Sequence, residues 1–226
     1  MNPRHRVIIT CGPSYEPLDQ VRRLTNSSTG ALGMMLAGSL VNEGYQVICF
    51  KGEGATTKAE PFGVQIIEFT TNDHLHRLLQ EIPGRESILA FFHAAALCDF
   101  KIEAIRTRDD KEINGGKISS RAGELHLTLS PALKVISLLR SLFPTTIIFG
   151  WKYEVEGSAS DSVSKGVSQI ANNGINACVV NGPAYGEGFG YLLKSGELSH
   201  IKDRAGLCAF LVAQLDSLTT ANNRRI

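Results

Sequence analysis

The sequence predicts an α/β protein built on a doubly wound parallel sheet. Three observations carry this. Short apolar runs end in turn signals: "RVIITCG" stops at Gly12-Pro13, and "YQVICFKG", "VQIIEFT" and "ACVVNGP" read as further strands. Helical patterns alternate with these runs. Finally, "SILAFFHAAAL" is long and apolar throughout, the mark of a central parallel strand buried on both faces, with the turn beyond it.

Each element follows from local chemistry. A helix is expected from about Thr29 to Glu43, because Leu32, Met35, Leu36 and Leu40 recur at helical spacing and Gly44 can cap it. "TNDHLHRLLQEI" is a helix with Asn72 or Asp73 as its N-cap. "KIEAIRTRDDKEINGGK" breaks the rhythm: it is charged, aperiodic and holds Gly115-Gly116, so residues 101–120 are expected to form a mobile loop or flap. Strand "ELHLTL" follows, then a helix opened by Ser130-Pro131 and the strand "TTIIFGWKYE". A helix near Ser160 to Asn173 leads to "ACVVNGP". "GYLLKSGELSHI" forms a hairpin around Ser195-Gly196, "DRAGLCAFLVAQLDSL" is the closing helix, and the tail "TTANNRRI" frays. With no repeat or linker, residues 1–226 are expected to form one domain with a flap.

Composition narrows the class. The 226 residues carry a net charge of +1, against the basic excess of a general nucleic-acid binder. Five separated cysteines, an odd number, point to reduced, buried thiols in a cytoplasmic protein. No CxxC pair or spaced histidine set marks a zinc site, so no metal ligands are expected. No stretch is long and apolar enough to span a bilayer.

The stretch "TCGPSYEPLDQVRRLTNSSTG" connects the first strand to the first helix, and ligands of doubly wound sheets bind beyond the carboxyl ends of their strands. A helix N-terminus offers unpaired N–H groups and partial positive charge to phosphate. Ser28, Thr29 and Gly30 add hydroxyls and close backbone access, and Arg22 or Arg23 adds a charged fork. A lone N-cap accounts for one hydroxyl, not for two arginines and Asn26 as well. The pattern is neither GxGxxG nor a Walker A loop.

These residues carry a resemblance. "ITCGPSYEPLDQVRRLTNSSTGALG" resembles the "TxGGTxEPID-x-VR-x-I-[ST]-N-x-SSGKMG" opening of the phosphopantothenate–cysteine ligases, or phosphopantothenoylcysteine synthetases. "AAALCDF" is similar to that family's "AAAVADY", "GGKISS" with "ELHLTL" to "KIKKS…LTLEL", "IIFGWKYE" to "VVGFAAET", and "ACVVNGPAYGEGFG" to "DLIVANDVS…GFG". The matches run in family order from about Val7 to Gly190 and resemble the free-standing ligase, without the flavin-dependent decarboxylase of fused members.

The resemblance implies a Rossmann-like sheet with a flap and a small C-terminal β-hairpin. It implies a cytoplasmic enzyme of coenzyme A biosynthesis that joins 4′-phosphopantothenate to cysteine through an acyl-nucleotidylate. CTP is favoured over ATP as substrate, with Mg²⁺ accompanying the triphosphate and no flavin. Asn26 and Lys117 match catalytic positions. Gly12, Ser28, Thr29, Gly30, Ala95, Ala96, Asp99, Lys117, Trp151 and Lys165 match or stand near the nucleotide side, and Arg22, Asn26, Asn181 and Phe189 the substrate side. A homodimer whose flaps complete each other's sites, and a separate decarboxylase as partner, are implied in the same way.

There are departures. Pro13 replaces a glycine, Ala31 a lysine, and Ser119 and Ser120 later lysines of "KIKK". "GFAAET" becomes "GWKYEV", and "VAND" becomes "VVNG". Gln169 and Asn173 stand where phosphate-touching lysines are expected, and Lys165 or Lys152 could compensate. The alternative reading is a homologue that binds nucleotide but uses another substrate or does not turn over.

Overall fold

In a computed structural model, residues 5–113 and 116–223 are described. The order is β1 (Arg6–Cys11), β2 (Tyr15–Pro17), β3 (Arg23–Thr25), α1 (Ala31–Asn42), β4 (Gln46–Gly52), β5 (Gln65–Phe69), α2 (Asn72–Gln80), β6 (Ile88–His93), β7 (Phe100–Thr107), β8 (Leu125–Pro131), α3 (Val135–Leu142), β9 (Ile147–Tyr153), α4 (Ala159–Asn173), β10 (Ala177–Asn181), β11 (Phe189–Leu193), β12 (Leu198–Ile201) and α5 (Arg204–Asn223).

The central sheet runs β12-β11-β10-β9-β6-β1-β4-β5. Its strands are parallel from β5 to β10, and β11 and β12 add an antiparallel hairpin. Alternation along the strands sends side chains to two cores. Ile9, Phe92, Phe149 and Val179 meet α1 and α5, with Phe92 and Phe149 stacked 4.4 Å apart. Ile8, Phe91, Ile148 and Val180 pack beneath α2, α3 and α4. The chain winds outward in opposite directions from β1 and β6, so the switch point between them opens a crevice at their carboxyl ends.

Several expectations change. Residues 100–107 are a strand, β7, paired antiparallel with β8 as a ribbon, not an irregular loop. Cross-strand pairs such as Ile105 with Leu127 and Ile102 with Leu129 give this charged stretch a sheet-forming face. Asn114 and Gly115 of the expected flap lie outside the described residues. Pro131 ends β8, and α3 begins at Val135 after Lys134, because the residues between them hold the loop against Asp99: the Ala132 N–H donates to the Asp99 carbonyl at 2.9 Å. The α2 cap is Thr71, whose hydroxyl accepts the His74 N–H. Asn72 instead points its amide at the Cys98 and Leu133 carbonyls, at 2.8 and 3.0 Å, tying together two loops above the sheet. Helix α5 continues to residue 223, through most of the tail expected to fray; residues 224–226 lie outside the described residues.

Gly33 shows why "TGALG" ends in glycine. A Cβ there would stand 2.2 Å from the Cys11 Cβ, so α1 touches the end of β1 backbone to side chain. Gly33→Ala is expected to lower stability by about 1–3 kcal/mol through overpacking, measured as a fall in the urea midpoint at unchanged m-value.

Candidate functional site

A cleft of about 820 Å³ opens at the switch point, within the range of small-molecule sites. Asn26, Ser28, Thr29, Gly30, Ala95, Ala96, Asp99, Trp151, Asn181 and Phe189 all line it, from five separate chain segments.

The α1 end of the cleft is built on left-handed glycines. Gly12 and Gly30 have φ of 77° and 73°; a Cβ on Gly12 would lie 2.8 Å from the Ala55 Cβ, and one on Gly30 would lie 3.1 Å from Ala55 and 3.4 Å from Gly12. Gly12 lies beneath the cleft wall rather than on it. The first α-helical bond runs from the Met34 N–H to the Gly30 carbonyl at 3.1 Å, and Ala31 N–H reaches the Thr29 hydroxyl at 3.3 Å. The N–H groups of Leu32 and Gly33, both on the cleft, have no helical acceptor and suit an anion.

On the β6 side, backbone pairing continues past the strand. Ala96 N–H donates to the Gly12 carbonyl at 2.9 Å, and the Ala96 carbonyl accepts the Ser14 N–H at 3.2 Å. Ala95 and Ala96 thus offer the cleft an absence of bulk, the N–H and carbonyl of Ala96 being used in the protein. Asn26 donates one amide N–H to the Leu97 carbonyl at 2.8 Å, which sets the amide plane and leaves its other N–H and its oxygen available.

The opposite wall comes from β9 and β10. The Trp151 carbonyl accepts the Gln169 amide at 3.3 Å. The Trp151 Nε1 and the Asn181 Oδ1 are buried without a hydrogen-bond partner. The acid expected at Gly182 has no room: with φ of 112°, a Cβ there would lie 2.4 Å from the Glu154 carbonyl oxygen.

Among the described residues, the charged groups on the cleft wall are Lys134, Lys152, Arg204 and Asp99, three cations against one carboxylate. Sequence reasoning missed Lys134 and Arg204. Lys134 was hidden by starting α3 too early; its place just before Val135 puts it at the helix N-terminus. Arg204, the first residue of α5, is brought in by the C-terminal hairpin, which nothing local announces. Lys165 is not on the wall. It pairs with Glu154, whose other oxygen takes Lys152 at 3.1 Å. Desolvation opposes ionisation of this carboxyl, but the two lysines hold it below the usual range.

Arg22 and Lys117 also stand apart from the cleft. Arg22 pairs with Asp19 at 2.7 Å and donates to the Ile118 carbonyl. Asp19 further accepts N–H groups of Val21, Arg22 and Ile118 at 2.8, 2.7 and 3.1 Å. Lys117 is exposed beside this clamp.

The class defined so far is an α/β protein with an electropositive cleft at the switch point of its sheet, suited to a polyanionic small molecule. The chain belongs to the family of the DNA/pantothenate metabolism flavoprotein C-terminal domain, which it matches over residues 3–203. The coenzyme A biosynthesis bifunctional protein CoaBC of Thermococcus kodakarensis is 28% identical over 178 residues, 78% of this chain and 41% of that protein; the chain thus spans well under half of that relative. The DNA/pantothenate metabolism flavoprotein from Streptococcus pneumoniae superposes with a TM-score of 0.84 at 22% identity, covering 95% of this chain and 99% of that one. The Cab2 mutant H337A, solved with phosphopantothenate-cysteine, gives 0.73 at 17%, covering 96% and 88%. These likenesses bear out the expected α/β fold.

Asp19 generates a pH prediction. Desolvation would raise its carboxyl, but the three backbone donors and Arg22 outweigh it and bring it down to about 2, from about 3.9 when unfolded. A depressed carboxyl stabilises above its unfolded value, and that contribution disappears as pH falls through about 2. The protection factor of the Ile118 amide, the ratio of intrinsic to observed exchange rate, is expected to be high at pH 5, to fall on acidification toward pH 2, and to be low at pH 5 in Asp19→Asn.

Proposed function

We propose that this chain is a phosphopantothenate–cysteine ligase, with residues 1–226 acting as one catalytic domain. A carboxylate oxygen of 4′-phosphopantothenate attacks the α-phosphorus of a nucleoside triphosphate, and the bond to pyrophosphate breaks. The cysteine nitrogen then attacks the acyl carbon, loses a proton, and the nucleoside monophosphate departs with the electron pair of the anhydride bond. CTP is the favoured nucleotide, as the resemblance to bacterial members implies.

The observation that carries this reading is the convergence of Asn26, Ser28, Thr29, Gly30 and Asp99 with three cations on one cleft. The family membership supports it, as does the fold shared with a protein solved with phosphopantothenate-cysteine. The free N–H groups at the start of α1, with Lys134, Lys152 and Arg204, neutralise phosphate charge. Asn26 orients the acyl oxygen with its remaining N–H, adding no charge. Trp151 presents its ring to the base, and Asn181 and Phe189 bound the substrate side. Mg²⁺ would arrive with the triphosphate: among the described residues Asp99 is the one carboxylate on the wall, and no cluster of three or more His, Cys, Asp or Glu would hold a metal by itself. That ion offsets charge on the phosphates.

Arg22 and Lys117 stand outside their own cleft, and the ribbon exposes Phe100, Leu127 and Leu129. Both facts support a homodimer in which this cluster completes the site of a second copy. A separate flavin-dependent decarboxylase supplies no residue to this reaction and remains the partner that the fused relatives imply.

The second reading, binding without turnover, draws on Gln169 and Asn173. Gln169 is held by Trp151 and Cys178, and Asn173 by the Gln169 carbonyl, so neither replaces a phosphate-binding lysine. Lys152 is the replacement on the ligase reading. Pyrophosphate release is expected with CTP and to depend on added 4′-phosphopantothenate. Asn26→Ala is expected to lower kcat by about 100-fold, and Lys152→Gln to raise the KM for nucleotide about tenfold, the loss of one charge-assisted contact. Nucleotide binding with no release would favour the second reading.

A further inference from the structure

One buried, ionisable group on the cleft has no part in the scheme so far. His93 ends β6, the strand at the switch point, and is 7% exposed. It points to the same side as Phe91, whose ring lies 6.1 Å away edge-on. Its neighbour across the β9 register is Gly150, which has no side chain to cover it. The Ile136 and Ile175 tips crowd the space above Gly150, with the Gln169 Oε1 next nearest at 3.6 Å, so the surroundings are mainly apolar. Its apolar neighbours do not call for an imidazole; of the groups around it, the Thr10 hydroxyl is the one that a leucine would leave without a partner.

The ring is held by one polar contact. His93 Nδ1 lies 2.8 Å from the Thr10 hydroxyl. That hydroxyl oxygen also accepts the Ala95 N–H at 3.4 Å. Thr10 is fully buried and, among the described residues, its hydroxyl hydrogen has no acceptor but Nδ1, so the hydroxyl donates to Nδ1. This assigns the Nε2–H tautomer. Nε2 then has a proton to give and no protein acceptor among the described residues, while His93 lines the cleft beside Ala94, Ala95 and Ala96. Burial lowers the imidazole to about 4, so the ring is neutral at pH 7.

We propose that His93 is a further catalytic residue: its Nε2–H, fixed by Thr10, donates a hydrogen bond to the acyl oxygen of the bound carboxylic substrate. The assignment rests on the acyl-transfer reading above. In that chemistry the acyl oxygen gains negative charge when the amine adds to the acyl carbon and returns it when the nucleotide leaves. A fixed donor that needs no reorganisation favours the charged state over the ground state. A neutral imidazole does this without an added cation beside the phosphates. It shares the oxygen with Asn26, which approaches from the α1 side of the same cleft.

The test uses the whole chain and three variants, His93→Leu, His93→Gln and Thr10→Val. Wild type is expected to release pyrophosphate and form the amide. His93→Leu is expected to lose about 100-fold in kcat for amide formation with the nucleotide KM within threefold, and His93→Gln, which keeps an N–H donor, to recover at least tenfold of that loss. In ¹⁵N-histidine-labelled wild type, the His93 Nε2 signal is expected to be that of a protonated nitrogen from pH 5.5 to 8. It is expected to shift on adding 4′-phosphopantothenate with nucleotide, and Thr10→Val is expected to mix the two tautomers. Should His93→Leu fail to fold, the labelled wild-type spectrum decides alone: an Nε2 signal unmoved by ligand overturns the proposal. Turnover in wild type with His93→Leu equally fast overturns it too and leaves the ligase reading standing. No ligand binding and no turnover in wild type overturns both.

Discussion

The N-terminus of α1 lies against the end of β1 at a distance that excludes side chains. A Cβ on Gly33 would meet the Cys11 Cβ, and side chains on Gly12 and Gly30, both left-handed, would both run into Ala55. This contact sets the position of the unpaired N–H groups of Leu32 and Gly33 relative to the sheet. Everything on the α1 side of the cleft inherits that position: the Thr29 hydroxyl, the turn of residues 26–29, and the Asn26 amide that reaches Leu97. A bulkier residue at Gly33 would push the helix off β1, and one at Gly12 or Gly30 would displace the loop at Ala55.

The other wall depends on the sheet. Parallel pairing of β1, β6 and β9 brings Thr10, His93 and Gly150 into one row, with the small residues Ala94 to Ala96 just beyond. Antiparallel β11 and β12 then return the chain so that α5 starts with Arg204 on the cleft. The charge surplus arises from this convergence alone, since the chain as a whole is nearly neutral at +1. Glu154 divides the nearby lysines. It holds Lys165 away from the cleft and steadies Lys152 at its edge.

Much of the fold was legible because the inner strands β1, β4, β6 and β10 are buried on both faces and read as apolar runs. The ribbon of β7 and β8 was less so: it faces solvent over much of its length and pairs by alternation across a long gap, so its first strand looks like a charged loop. The α1 side of the site was legible for a local reason: its glycines, hydroxyls and Asn26 lie within a few residues of one another. Lys134 and Arg204 were not, since their approach to the cleft depends on where α3 begins and on how the C-terminal hairpin folds back. His93 was visible as a titratable residue in an apolar run, but its tautomer follows only from the Thr10 hydroxyl across the strand.

On the ligase reading, this cleft holds a nucleoside triphosphate through its phosphates. Trp151, the single tryptophan, lines the cleft and reports on it. The most direct measurement is its fluorescence during titration of the wild-type chain with CTP and with CMP, each at two salt concentrations. The account predicts quenching by both, tighter binding of CTP, and a loss of that preference as salt rises and screens the cations. Equal affinity for CTP and CMP at both salt concentrations, or no change in emission with binding undetected by calorimetry, would contradict it.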